Sequence, residues 1–303
     1  MMEEKKMKKI IAVSALTMAL SFGVAVVPMT NEVANSMVSI AHAESANEIT
    51  AMGSAMAPAG MPAGQARLMA RRGAIMDAQR NLVATIKATA VDAENVMENF
   101  IVKSDIVKTK VSGTITGARV IEEKFNSDGT YEVVMSVPAN GVGSIADIAI
   151  TQKLQDAGIT TPQPLPQPTP EAVKTYVPAP QASVGGGYTG IVIDAKGSGV
   201  VKTICPVIYD TNGRAIYGVQ NIDRNYAIQN GVVEYADGEA RWQQVGVGQT
   251  RAGSNPLYIK IVGLRERIVN KCDVIISVED ADKILIENQR SGMLSKYAVV
   301  FEK

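Results

Sequence analysis

The sequence predicts an α+β protein of two small domains, the first with helices packed on an antiparallel sheet, the second a mainly antiparallel sheet with a C-terminal β-α-β segment. Three observations carry this. Gln65 to Thr89 keeps a helical period over its whole length, the period changes to two from Ala118 onward and again in the C-terminal third, and proline and glycine concentrate between the two regions.

Composition sets the outer limits. The chain has 303 residues, 30 Lys+Arg against 30 Asp+Glu and 46% hydrophobic residues, enough for one or two real cores. Balanced charge, without a basic cluster in the mature region or an aromatic platform, gives no electrostatic case for nucleic acid. Lys5, Lys6, Lys8 and Lys9 precede an apolar run from Ile10 to Val27, and Ala41-His42-Ala43 is an A-x-A cleavage site, so residues 1–43 read as a signal peptide. The alternative is an uncleaved anchor, against which stand Ser14, Thr17 and Ser21 inside the run and Pro28 at its end. No later segment is apolar enough to span a bilayer, and no cysteine lies near the cleavage site. The mature protein is expected in the periplasm or envelope, or released, without a lipid anchor.

Residues 44–60 are small and aperiodic and read as a flexible leader. The first domain then covers 61–158. In the long helix, Leu68, Ile75, Met76, Leu82, Val83 and Ile86 suggest a stripe facing the core, while Ala66, Ala70, Ala74 and Ala78 repeat every four residues and allow close approach to a neighbouring layer. Asp77 and Arg80 lie three apart and suit an exposed pair worth only about 0.2–0.5 kcal/mol. A second helix is expected over Asp92–Thr109, broken by Gly113, then a hairpin through Asp128-Gly129, then a helix from Ile145 that stops at Gly158.

Residues 159–187 hold seven of the chain's thirteen prolines and end in Gly185-Gly186-Gly187, the composition of a spacer with one flexible joint. In the second domain, 188–303, strands are expected at 190–195, 203–210, 214–218, 256–264, 273–277 and 296–302, with an Asn212-Gly213 turn. Ser277 is placed to cap a helix that Gly292 ends, with Glu279 and Asp282 near its positive pole.

Little in this pattern supports chemistry. The only histidine, His42, leaves with the signal peptide, which removes Ser-His-Asp, Cys-His and imidazole–zinc arrangements. No catalytic, cofactor-binding or metal-binding residue is expected, and no cofactor. Gly185 to Gly190 has the letters of a dinucleotide loop, but it follows a proline-rich stretch and opens a strand rather than a helix. The NSDG and DTNG turns lack the distal Glu of a calcium loop. Cys205 and Cys272 are candidates for a disulfide in an exported chain, worth roughly 4 kcal/mol by loop closure; the other reading is two buried free thiols.

At Ala66-Arg67, Ala70, Ala74, Asp77-Ala78 and Arg80-Asn81-Leu82, at Gly113 to Ile121 and in DGTYEVVMSVP, the first domain resembles small bacterial outer-membrane lipoproteins that share a domain with the amino-terminal part of the flagellar assembly protein FlgT. The resemblance covers about residues 60–140 and implies helices on an antiparallel sheet with no catalytic residues. The second domain, through YTGIVIDAKGSGV and DVIISVEDA, looks like a segment that accompanies such domains in envelope proteins. The expected function is a non-enzymatic envelope component that works through contacts with envelope or flagellar proteins, or through self-association. The alternative is a ligand-binding module or a carboxylate-dependent enzyme in the second domain.

Overall fold

Helix α1, Ala63–Ala88, buries Ala66, Ala70, Ala74, Ala78, Leu82 and Ile86, one residue in every four. This corrects part of the stripe expected to face the core: Leu68 and Met76 are 63% and 64% exposed. The reason is the partner. Strand β1, Glu48–Met56, lies against α1 with Ala51, Gly53 and Ala55 on the facing side, so this contact is set by small side chains. A Cβ on Gly53 would stand 2.1 Å from the Ala78 amide nitrogen and 2.4 Å from the Ala74 carbonyl oxygen. No side chain fits there. Residues 48–56 are therefore a strand and not a flexible leader. Their small side chains lack the β-branched alternation that marks a strand in sequence, because closeness to the helix, not cross-strand packing, dictates them.

The computed structural model describes residues 47–176, 187–236, 250–265 and 269–303, and all of them belong to one compact unit. The signal-peptide segment, His42 and Gly185-Gly186 lie outside the described residues.

β1 pairs antiparallel with β3, Thr130–Pro138, which pairs antiparallel with β2, Arg119–Phe125, giving the order β1-β3-β2. The β2–β3 turn carries Gly129 at φ 88, as the Asp128-Gly129 pair requires. The helix expected over 92–109 is two: α2, Met97–Lys103, and α3, Asp105–Thr116. The break falls at Ser104, whose hydroxyl accepts the Val107 N–H at 3.3 Å and starts α3, while Gly113 is accommodated inside that helix. Helix α4, Ile145–Asp156, begins at Ser144, whose hydroxyl accepts the Asp147 N–H, and is followed by Gly158 at φ 66.

Helix α5, Pro170–Thr175, lies in the proline-rich stretch. The C-terminal region adds strands β4, Gly190–Asp194; β5, Ile208–Asp210; β6, Ala215–Tyr217; helix α6, Arg224–Asn230; and β7, Glu234–Ala236. It ends with β8, Pro256–Lys260; β9, Gly263–Leu264; β10, Val274–Ile276; helix α7, Val278–Ser291; and β11, Val299–Glu302. The sheet β7-β11-β4-β8 is parallel throughout, and the sheet β6-β5-β10-β9 is mixed, with β5 parallel to β10. The expected dominance of antiparallel pairing gives way here for a visible reason. β4 and β11 are buried on both faces, the condition that parallel strands need and that GIVID and VVFE supply. α7 follows its sequence signals, with Ser277 accepting the Asp280 N–H at 2.9 Å and Gly292 left-handed at φ 66. It joins β10 to β11, which sit in different sheets.

The described part of the proline-rich stretch is laid against the C-terminal region. Ile159 and Leu165 pack on its core, joined by Ala146, Ile150 and Leu154 of α4. The Gln163 N–H donates to the Gln220 carbonyl at 2.7 Å. Asp282 accepts the Thr169 N–H at 3.0 Å and an Arg214 N–H at 2.8 Å, and Arg214 also bonds Asp210 and the Gln167 carbonyl. Tyr176 donates to Glu287 at 2.7 Å. Asp282 and Glu287, which a helix-face reading leaves in water, are almost fully buried.

Candidate functional site: a cleft between two sheet edges

A concavity of about 700 Å³ opens where the N-terminal layer meets the C-terminal region. β1 is an edge strand of its sheet and β7 an edge strand of the parallel sheet, and Glu48–Thr50 and Glu234–Tyr235 both line the cleft. The end of α1 (Thr85, Thr89), the start of α4 (Ile145, Ala146, Ile150) and the segment Lys202–Ile204 complete the wall. The floor is aliphatic: Ile145, Ala146, Ile150 and Val232 are all buried. The rim carries amides and hydroxyls, among them Asn47, Asn140, Gln229 and Asn230. This is the composition of a site that takes apolar groups inward and fixes polar ones at its mouth.

The charges at the cleft serve the protein itself. Arg251 donates to the carbonyls of Gly231 and Asn230, its backbone N–H donates to Glu234 at 2.7 Å, and its guanidinium lies 6.0 Å from the Tyr226 ring centre. Glu48 accepts from Arg119 and from Ser136 at 2.9 Å. Tyr235 exchanges hydrogen bonds with the N–H and carbonyl of Thr203, and burial holds its phenol protonated well above the ordinary tyrosine range.

Behind Thr203 lies a buried polar knot. Lys153 donates to Asp92 at 2.7 Å, and Asp92 also accepts the N–H groups of Glu94 and Asn95 at 2.8 Å each. Burial opposes the charge on Asp92, but Lys153 and these donors prevail and hold its carboxyl below the usual range. Asp273 goes the other way, with burial raising it despite the Val207 N–H that it accepts at 3.0 Å.

Cys205 and Cys272 are both in this neighbourhood, both buried and both free thiols. Burial pushes each thiol up to about 12, which keeps them protonated and unreactive. The Cys272 sulfur lies 3.7 Å from an Asp273 carboxylate oxygen. The Asp77–Arg80 pair forms at 3.6 Å on the surface. Asp77 has a second task that the sequence does not show: it accepts the Ser54 N–H at 3.1 Å, while Asn81 donates to the Met52 carbonyl at 2.8 Å. The DTNG turn is closed by its own Asp210, which accepts the N–H groups of Asn212 and Arg214. Among the described residues no group of three or more acidic, cysteine or histidine side chains is placed to hold a metal ion. The cleft itself was not legible in the sequence, because its lining comes from separate segments spread between Asn47 and Arg251 and no single one carries a signal.

Two family models match the chain. Residues 38–138 match LPP20 lipoprotein, a span that contains β1 to β3 with α1, α2 and α3. Residues 190–301 match the second domain of Treponema pallidum Tp0624 and cover β4 to β11 almost entirely. No curated protein matches the chain. No described helix is long and apolar enough to cross a membrane. The chain is thus similar to an envelope lipoprotein family over its N-terminal layer and to the second domain of Tp0624 over its C-terminal sheets.

Proposed function

We propose that this is an exported, non-enzymatic envelope component that works by holding a segment of another envelope polypeptide in the cleft between β1 and β7. The carrying observation is that two sheet edges border one cavity over an aliphatic floor. Edge strands offer main-chain groups to an extended chain, and a floor of this kind accepts its alternate apolar side chains. In this reading the signal segment is removed and the mature chain carries no lipid, unlike the lipoproteins that its N-terminal layer resembles. The resemblance read from Ala66 to Leu82 and from Gly113 to Ile121, to lipoproteins that share a domain with FlgT, is what supports a place near the flagellum.

The test is a photo-crosslinking residue at Gln229, on the exposed rim, in cells that export the full chain. One defined envelope protein should be trapped there, and Thr85→Trp, which fills the cleft, should abolish the product while leaving the unfolding midpoint unchanged. Crosslinking that ignores Thr85→Trp would overturn the reading. Amino-terminal sequencing and intact mass of the exported chain decide the processing: a start at Glu44 and an unmodified mass are expected.

A further inference from the structure

The two edges of the N-terminal sheet are treated differently. On β1, beyond the stretch Glu48–Thr50 that lines the cleft, the outward main-chain groups of Ser54 and Met52 are taken by Asp77 and Asn81. On β2 all seven residues are exposed, and among the described residues no strand pairs with its outer side. A long bare edge is a template for another strand.

We propose that β2 pairs antiparallel with β2 of a second copy, joining the two N-terminal sheets into one six-stranded sheet. The register follows from the hydrogen-bond pattern. Since Ser54 and Met52 point away from β3, the even residues of β3 face β2, and their partners Lys124 and Glu122 point inward. Phe125 and Glu123 direct their main-chain groups outward, while Ile121 is the extra residue at the irregularity between Val120 and Glu122.

Of the two-fold arrangements that pair outward residues with outward residues, the one centred on Glu123 sets Glu122 opposite Lys124 twice. The two Glu123 carboxylates meet at the axis, each already bound to Arg71 of its own copy at 2.7 Å. Centring on Glu122 or on Lys124 instead would lose both Glu122–Lys124 pairs and put two like charges face to face that, unlike Glu123, have no salt-bridge partner of their own among the described residues.

Charge reversal tests the pairing with exposed substitutions that leave the core alone. Sedimentation of the full mature chain should show a concentration-dependent dimer. Glu122→Lys and Lys124→Glu should each weaken it about tenfold, because symmetry turns two attractive pairs into two repulsive ones, and the double variant should restore it. Under mild oxidation Glu123→Cys should cross-link copies, since directly opposed hydrogen-bonded residues lie about 5.5 Å apart, within disulfide reach. Lys124→Cys, displaced by about 8 Å from its counterpart, should not. The unsubstituted chain, with its two thiols buried, is the control. A monomer at every concentration, a double variant no better than the singles, or equal cross-linking at 123 and 124 would overturn the proposal.

Discussion

The N-terminal layer and the C-terminal sheets reach the same end by opposite use of side-chain size. In the first, α1 and β1 come together on Ala70, Ala74 and Ala78 against Ala51 and Gly53, so the backbones nearly touch. In the second, branched and aromatic side chains such as Ile191, Ile193, Ile208, Val299 and Phe301 fill the space between layers, and buried ionic clasps hold the connecting segment. A layer built on smallness tolerates no added atom. A layer built on bulk and clasps is sensitive to subtraction.

The largest expected effect breaks the first kind of contact by addition. Gly53→Ala brings a methyl group into the α1 backbone, a clash that no rotamer relieves, and should cost about 3 kcal/mol or more in denaturant unfolding. Ala74→Leu or Ala78→Leu should cost about 1–3 kcal/mol. If Gly53→Ala unfolds at the same midpoint as the parent, the close approach is wrong.

Removing a clasp tests the second region. Asp282→Ala leaves one guanidinium N–H of Arg214 and the two Thr169 donors without their acceptor, while Arg214 keeps Asp210 and the Gln167 carbonyl, and should cost about 2–3 kcal/mol. Limited proteolysis should then cut within 160–176, which the parent protects. Cleavage at the same rate in both proteins would show that the stretch is held by packing alone.

Acid should loosen the clasps before it touches the small-residue contact. Burial disfavours charge on Asp92, Asp147 and Asp282, yet their hydrogen bonds and the cations Lys153, Arg224 and Arg214 hold all three carboxyls below the usual range. A carboxyl depressed by folding adds stability that is fully present above its unfolded value near 4 and is lost as pH falls through the folded value. Asp273, raised by burial, contributes in the opposite sense but is one against three. The urea midpoint should fall as pH drops from about 5 to about 3. A rise over that window would show Asp273 dominating.

The smallest effect concerns the face of α1 turned to water. Leu68→Ser and Met76→Ser should change stability by no more than about 0.5 kcal/mol, because neither residue is in the core.

That last case shows where sequence pattern runs out. The long helix, the β2–β3 hairpin and the caps at Ser277 and Gly292 are local, and their residues announce them. Which face of α1 is inside is not local. It depends on what lies opposite, and β1 is hard to recognise because Ala, Gly and Ser replace the residues that mark strands. Parallel order in the C-terminal sheet is equally non-local, since β7, β11, β4 and β8 assemble out of chain order. The same holds for the cleft and for Asp282, whose polar character reads as a helix surface until Thr169 and Arg214 arrive from elsewhere.

The pairing of Glu48 with Pro138 has a consequence for how the chain comes to be folded. β2 and β3 are joined by a short turn and can zip together at once, whereas β1 waits for a partner that is among the last parts of the layer to be made. Contacts of such long sequence separation form late, after the loop between them has lost its freedom. A chain delivered from its N-terminus can lay β1 on the alanine face of α1 at once, but it carries the β3-facing edge of β1 unpaired until Pro138 has emerged. Any factor that binds this protein before the layer is complete has that strand edge as its natural handle.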